Sequence, residues 1–227
     1  MLSLLYVIIL SYLVGSIPTS IIVSKIVKGI DIRQHGSGNA GGTNVIRVLG
    51  LRTGLFVIIF DVLKGLVATV FVAKLMYSPF PFTNLTPFQD FTLVQILAGS
   101  AAIVGHIWTV FGGFKGGKGI ATAAGMLIGV APWDILIAVG VFMIVFLISR
   151  YVSLGSISAA VAFPLTLVVR ENVFKSDVEG YGTLIFFSIG IALLLIFTHR
   201  TNIKRLIEGR ENKLTNLHLF RKKSKTS

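Results

Sequence analysis

Long apolar runs alternate with short polar segments along almost the whole chain. The runs occupy residues 2–27, 54–77, 93–111, 133–148, 154–169 and 181–197, with a shorter one at 120–131. An α-helix crosses the hydrocarbon core of a bilayer with about 20 residues, so the long runs read as transmembrane helices. Gly15 and Pro18 lie inside the first run and predict a bend there. Nothing basic precedes that run and no small-residue cleavage site follows it, so it reads as a span and not as a cleaved leader. The segments between runs are a glycine-rich loop at 28–53, a stretch with Pro79, Pro81 and Pro87, a loop rich in glycine and lysine after 111, and a charged loop at 171–179.

Charge settles the shorter run and the orientation. If the N-terminus is outside and residues 120–131 also cross, the outer side holds Lys74, Arg170 and Lys175. The inner side then holds Lys25, Lys28, Arg33, Arg47, Arg52, Lys115, Lys118, Arg150, Arg200 and the basic tail. Lys and Arg accumulate on the cytoplasmic side of membrane proteins, and leaving the short run uncrossed would put Arg150 and the tail outside. The sequence therefore predicts an all-α polytopic membrane protein with seven transmembrane helices, N-terminus outside and C-terminus cytoplasmic. Its domain is expected to span residues 1–213, with 214–227 a basic cytoplasmic tail.

Composition agrees. Of 227 residues, 54% are hydrophobic and only 13% charged, too few to cover a soluble domain of this size. The net charge of +12 is clustered, which points to anionic headgroups and phosphorylated substrates and not to nucleic acid. The absence of cysteine excludes disulfides, thiolate catalysis and cysteine-ligated metal.

Three segments on the inner face carry candidate chemistry. The first runs from Gly36 through Ser37, Gly38, Asn39, Ala40, Gly41, Gly42, Thr43, Asn44 to Arg47. Its glycines allow tight turns that aim amides at an anion, and Arg47 offers a planar fork for phosphate oxygens. The G-x-G-x-x-G spacing lacks the strand and βαβ unit that a dinucleotide site needs. A merely flexible loop is the plain alternative, which the density of Ser, Asn, Thr and Arg disfavours. The second segment, Phe111 to Gly119, contains Lys115, Gly116, Gly117 and Lys118. It fits part of a P-loop, but Gly119 stands where magnesium binding needs Ser or Thr. Positive-inside anchoring would explain its lysines but not its glycines. The third, His199 to Lys213, includes Asn202 and Arg205. His199 and Asn202 share a helix face, more than a lipid-binding basic helix requires. Asp61 and Lys64 lie three apart inside the second span. Ionised groups there cost roughly 2.5–3.5 kcal/mol each, so they pair inward, as a structural ion pair or as part of a site.

Together with Gly15-Ser16-Ile17-Pro18, Asp61-Val62-Leu63-Lys64-Gly65 and Ser153-Leu154-Gly155-Ser156, these segments resemble the acyl-phosphate-dependent glycerol-3-phosphate acyltransferase family of bacterial phospholipid synthesis. The likeness extends to Lys213. Thr109 replaces the family's usual proline, and Gly42 stands where alanine is common. The resemblance implies transfer of a fatty acyl group from acyl phosphate to the 1-hydroxyl of glycerol 3-phosphate at the cytoplasmic face of the bacterial inner membrane. The products are lysophosphatidic acid and phosphate, and no cofactor or metal takes part. Ser37, Asn39, Thr43, Asn44 and Arg47 would then line the glycerol 3-phosphate side, supported by Gly36 and Gly38. Gly116, Gly117 and Lys118, with Lys115 nearby, would hold the acyl phosphate, and His199, Asn202 and Arg205 would close the pocket. Ser37, Arg47, Lys118 and His199 are the catalytic candidates, with Asp61 and Lys64 as further substrate contacts.

Other classes fit less well. No His has an Asp five residues on, the aspartate cluster of alcohol phosphatidyltransferases is missing, and no Arg precedes Pro as in histidine-nucleophile lipid phosphatases. A transporter for a phosphorylated solute would bind at the midplane between repeats, which this sequence lacks. An interaction scaffold gives no reason for the glycine-rich loops.

Overall fold

The computed structural model describes residues 2–80, 82–178 and 180–214, and all regular structure among them is helical. The first predicted span is broken where Pro18 removes a backbone donor. It forms α1 (Leu2–Ser16) and α2 (Thr19–Lys28). Carbonyls freed at the break are capped from elsewhere: the Thr109 hydroxyl donates to Ser16 O, and Lys64 Nζ donates to Ile17 O at 3.0 Å. Lys64 also sits 2.9 Å from Asp61 Oδ1, so one buried ion pair ties the second span to the break in the first.

The polar loop contains a short helix, α3 (Gly42–Leu49), before α4 (Leu51–Val67). The second span continues through a π-helical turn at Ala68–Val72, where Thr69 Oγ1 bonds back to Gly65 O, and ends in α5 (Ala73–Leu75). Next come α6 (Asp90–Ile107), α7 (Ile120–Val130), α8 (Pro132–Ser149), α9 (Val152–Asn172), α10 (Tyr181–Thr198) and α11 (Arg200–Ile207). Among the described residues, six segments are long and apolar enough to cross a membrane.

The remaining apolar helix, α7, has 11 residues. It rises about 16 Å, roughly half the hydrocarbon thickness. Gly119 and Pro132 bound it, and it is pressed against α4 at two glycines. A Cβ on Gly65 would strike the backbone of Thr122, and one on Gly125 would strike Val62.

Two ends of the bundle are distinct. At one, Ser3 bonds Ser78, Arg170 pairs with Asp134, and Asn172 bonds Tyr181. At the other, Lys118 meets Asn202, and the Leu214 amide bonds Arg150 O at 2.9 Å. The N-terminal helix therefore starts at the end opposite Leu214, and α7 and α8 form a hairpin open toward the second end.

Candidate functional site

Gly36 and Gly38 turn the first loop with φ of +61° and +75°, a conformation that side chains disfavour. The loop closes around Asn44. Its Oδ1 accepts the Ser37 amide at 2.8 Å, and its Nδ2 donates toward the carbonyls of Ile32, His35 and Asn39 at 2.8–3.1 Å. The Asn44 side chain is thus fully engaged in shaping the loop. Ser37, Asn39 and Thr43 are left facing a cavity, beside the first turn of α3. That turn leaves the amides of Gly42 and Thr43 without an intrahelical acceptor.

Arg33 joins this loop to the next. Its guanidinium pairs with Asp31 at 2.7 Å and donates to Gly112 O at 2.6 Å. The second loop then folds back on the end of α6: the Gly116 amide bonds Ile107 O at 3.0 Å and the Gly117 amide bonds His106 O at 3.1 Å. These amides, expected from sequence to face an anion, are engaged by carbonyls. Both residues are glycines because a Cβ on Gly116 would meet the His106 carbonyl and one on Gly117 the His106 ring. The turn delivers Lys118 and the first turn of α7 to the cavity.

The third segment completes the polar end. Lys118 Nζ donates to Asn202 Oδ1, and Thr198 Oγ1 donates to Lys118 O at 3.0 Å. His199 is buried with Nδ1 2.8 Å from Leu195 O. That contact makes Nδ1 the protonated nitrogen and leaves Nε2 as an acceptor. Glu211 is buried at the centre of this segment, receiving hydrogen bonds from Ser153 Oγ at 3.1 Å, Asn202 Nδ2 at 2.7 Å and Arg205 Nε at 2.9 Å. Arg47 Nη2 reaches Asn212 O at 3.1 Å, while its buried Nε has no hydrogen-bond partner among the described residues.

Burial and charge set the protonation states. Burial, reinforced by the Lys118 charge, holds the His199 imidazole down at about 4. Burial also lowers the Lys118 ammonium to about 8; Glu211 opposes this, and Arg205 and Arg47 add to it. Burial would raise Glu211, but its hydrogen bonds from Asn202, Arg205 and Ser153 outweigh that and keep it low. Near neutral pH Lys118 is a cation, Glu211 a bound carboxylate and His199 a neutral imidazole.

All of these groups bound one end of a cavity of about 390 Å³. Its remainder is an apolar arm between α7, α8, α9 and α10, walled by residues such as Leu127, Ala138, Ala160 and Ile191. The site thus combines cations and two helix N-termini at a polar head with a hydrocarbon-lined arm, the shape of a phosphorylated lipid.

Residues 5–209 match the family model described as glycerol-3-phosphate acyltransferase. The chain belongs to the glycerol-3-phosphate acyltransferase family. It is 49% identical to the glycerol-3-phosphate acyltransferase of Chlorobaculum tepidum, over 95% of this chain and 98% of that one. Identity to the Chlorobium phaeovibrioides protein of the same name is 48%, with the same coverage. Two crystal structures of PlsY (YgiH), an integral membrane glycerol 3-phosphate acyltransferase, share the fold. The glycerol 3-phosphate form gives a TM-score of 0.77 at 38% identity, and the lysophosphatidic acid form 0.75 at 37%. Each covers 93% of this chain and 95% of its own.

Within this acyltransferase the cavity gathers Ser37, Asn39, Thr43, Asn44 and Arg47 from the first segment. Lys118, His199, Asn202 and Asp61 join them from the others. Seven expected site residues lie outside the lining. Gly36 and Gly38 shape the loop from behind, Gly116 and Gly117 pack on α6, and Lys115 is exposed to solvent. Arg205 pairs with Glu211, and Lys64 faces the Pro18 break. Among the lining residues that the sequence reading did not name as site residues, Ser153 and Glu211 are joined by a hydrogen bond. A glutamate within a basic segment is the sequence signal for this pair, and the bond joining them spans 58 positions.

Proposed function

We propose that this protein transfers a fatty acyl group from acyl phosphate to the 1-hydroxyl of glycerol 3-phosphate, releasing lysophosphatidic acid and phosphate. One observation carries the reading: Arg47, Lys118 and the N-termini of α3 and α7 converge at the polar end of a cavity whose other end is apolar. Two phosphate-bearing substrates need two cationic clusters, and a fatty chain needs an arm that keeps it out of water. The glycerol 3-phosphate and lysophosphatidic acid named for the PlsY structures fit the same two requirements.

Ser37, Asn39, Thr43 and Arg47 hold glycerol 3-phosphate, and Lys118 holds the donor phosphate, with His199 and Asn202 closing the head. Acyl phosphate is a mixed anhydride and already activated. The acceptor hydroxyl oxygen attacks the acyl carbon, the bond from that carbon to the phosphate oxygen breaks, and the hydroxyl proton passes to the departing phosphate. Arg47, Lys118 and helix amides stabilise developing negative charge, while positioning supplies much of the rate. His199 Nε2 accepts a hydrogen bond and orients the acceptor without removing its proton.

In this reading residues 1–213 form one domain that crosses a bacterial inner membrane seven times. α7 serves as the short fourth crossing, the N-terminus lies outside, and the site faces the cytoplasm. Labelled glycerol 3-phosphate offered to purified protein with palmitoyl phosphate or palmitoyl-CoA tests the donor. Lysophosphatidic acid should form at least about a hundredfold faster from acyl phosphate. Comparable rates from the two donors refute the assignment.

A further inference from the structure

The apolar arm has a floor. From Ser153 at the polar head, α9 lines the cavity as far as Phe163, about 15 Å along the helix. Beneath His199, α10 lines it from Leu195 back to Ser188, about 10 Å, and beyond Lys118, α7 lines it from Ile120 to Leu127, about 10 Å. Beyond these points the interior is filled by Ala131, Leu167 and Leu184, all buried in the same cluster as Leu127 and Phe163. Three helices thus stop lining the cavity at one depth. The side wall differs: Val139 and Met143 of α8 line the arm, yet each is 43% exposed on the membrane-facing surface.

A hydrocarbon chain with bonds of about 1.5 Å at about 111° advances about 1.3 Å per carbon. An arm about 15 Å deep therefore encloses about twelve extended carbons before reaching the floor. We propose that Phe163 and Leu127 are specificity-determining residues, measuring about the first dozen carbons of the acyl chain. Longer chains turn outward past Val139 and Met143 into the surrounding lipid. This inference rests on the acyl-transfer reading above and assigns the depth at which that site stops enclosing its substrate. Transfer of a methylene from lipid to an apolar arm gains little, so discrimination comes from steric fit at the floor and not from hydrophobicity.

Two substitutions move the floor in opposite directions. Ala160 is seven residues from Ser153, about 10 Å down the arm and nearly clear of solvent. Ala160→Phe brings the obstruction to about the eighth carbon, and Phe163→Ala deepens the arm. The readout is kcat/KM for octanoyl, lauroyl and palmitoyl phosphates with full-length protein in bilayer vesicles. Ala160→Phe should lower the palmitoyl-to-octanoyl ratio at least about tenfold, and Phe163→Ala should raise the palmitoyl-to-lauroyl ratio several-fold. Ratios unchanged in both variants, or rates that fall by a common factor at every length, overturn the proposal. If Ala160→Phe fails to insert, the Phe163→Ala ratio decides alone. Wild-type protein that uses no acyl phosphate at any length instead defeats the underlying reading, so the two failures are distinguishable.

Discussion

The ammonium of Lys118 donates to the amide oxygen of Asn202, a residue 84 positions further along the chain. Asn202 in turn donates to Glu211, which also holds Arg205 and Ser153. A single hydrogen-bonded chain therefore fixes the second loop against the third, and Arg47 brings the first loop in through Asn212.

Because Arg47 and Lys118 enter the cavity from different loops, their losses should separate. Arg47→Lys keeps the charge and removes the fork, so KM for glycerol 3-phosphate should rise about 10–100-fold with a much smaller change for acyl phosphate. Lys118→Met should show the opposite bias. Initial rates across both substrate concentrations, on variants shown to be inserted and folded, check this. Equal weakening of both substrates by each variant contradicts it.

The lowered Lys118 ammonium sets an alkaline limit. If its charged form binds the donor phosphate as proposed, kcat/KM for acyl phosphate should hold below pH 8 and fall as pH rises through about 8. Lys118→Arg retains its charge throughout and should move that limb upward, provided the larger head is accommodated. A pH profile from 6 to 10 with the two proteins side by side gives the answer.

With its imidazole held near 4, His199 is a weak base at neutral pH. His199→Gln keeps a hydrogen-bonding group and should lose less than the roughly 10²–10⁴-fold that removal of a general base costs, with the pH limbs unchanged. A loss at the upper end of that range, with an acidic limb near pH 4 abolished, makes His199 the base. The same comparison on His106→Gln covers the other imidazole lining the cavity.

The long spans were legible because hydropathy and length alone specify them, and the bend at Gly15 and Pro18 followed from proline's missing donor. The loops were legible as a group, since glycine density beside Arg47, Lys118 and His199 has no other economical explanation. Their internal arrangement was not. Whether a glycine amide is free depends on which carbonyl lies opposite, and the His106 and Ile107 carbonyls take those of Gly117 and Gly116. Glu211 was hidden because its partners are brought to it by two helices, Ser153 by α9 and Asn202 and Arg205 by α11. The sequence left Lys64 open between two roles, and its contacts with Asp61 and Ile17 O favour bracing the first span.

That brace predicts a stability pattern. Asp61→Asn leaves the buried Lys64 without its counterion, and Lys64→Met strands Asp61, so each alone should destabilise by about 3–5 kcal/mol. Together they should cost clearly less than their sum. Thermal unfolding in one detergent compares the three variants with wild type. Additive losses contradict a paired role.

Acyl transfer is tested most directly by following all reactants and products at once. Purified protein in vesicles receives glycerol 3-phosphate and palmitoyl phosphate labelled with heavy oxygen in the bridge between acyl carbon and phosphorus. Attack at the acyl carbon should give one lysophosphatidic acid and one phosphate per donor consumed, both dependent on glycerol 3-phosphate, with the heavy oxygen in the phosphate. Phosphate release without acylated product, or heavy oxygen retained in the new ester, contradicts it.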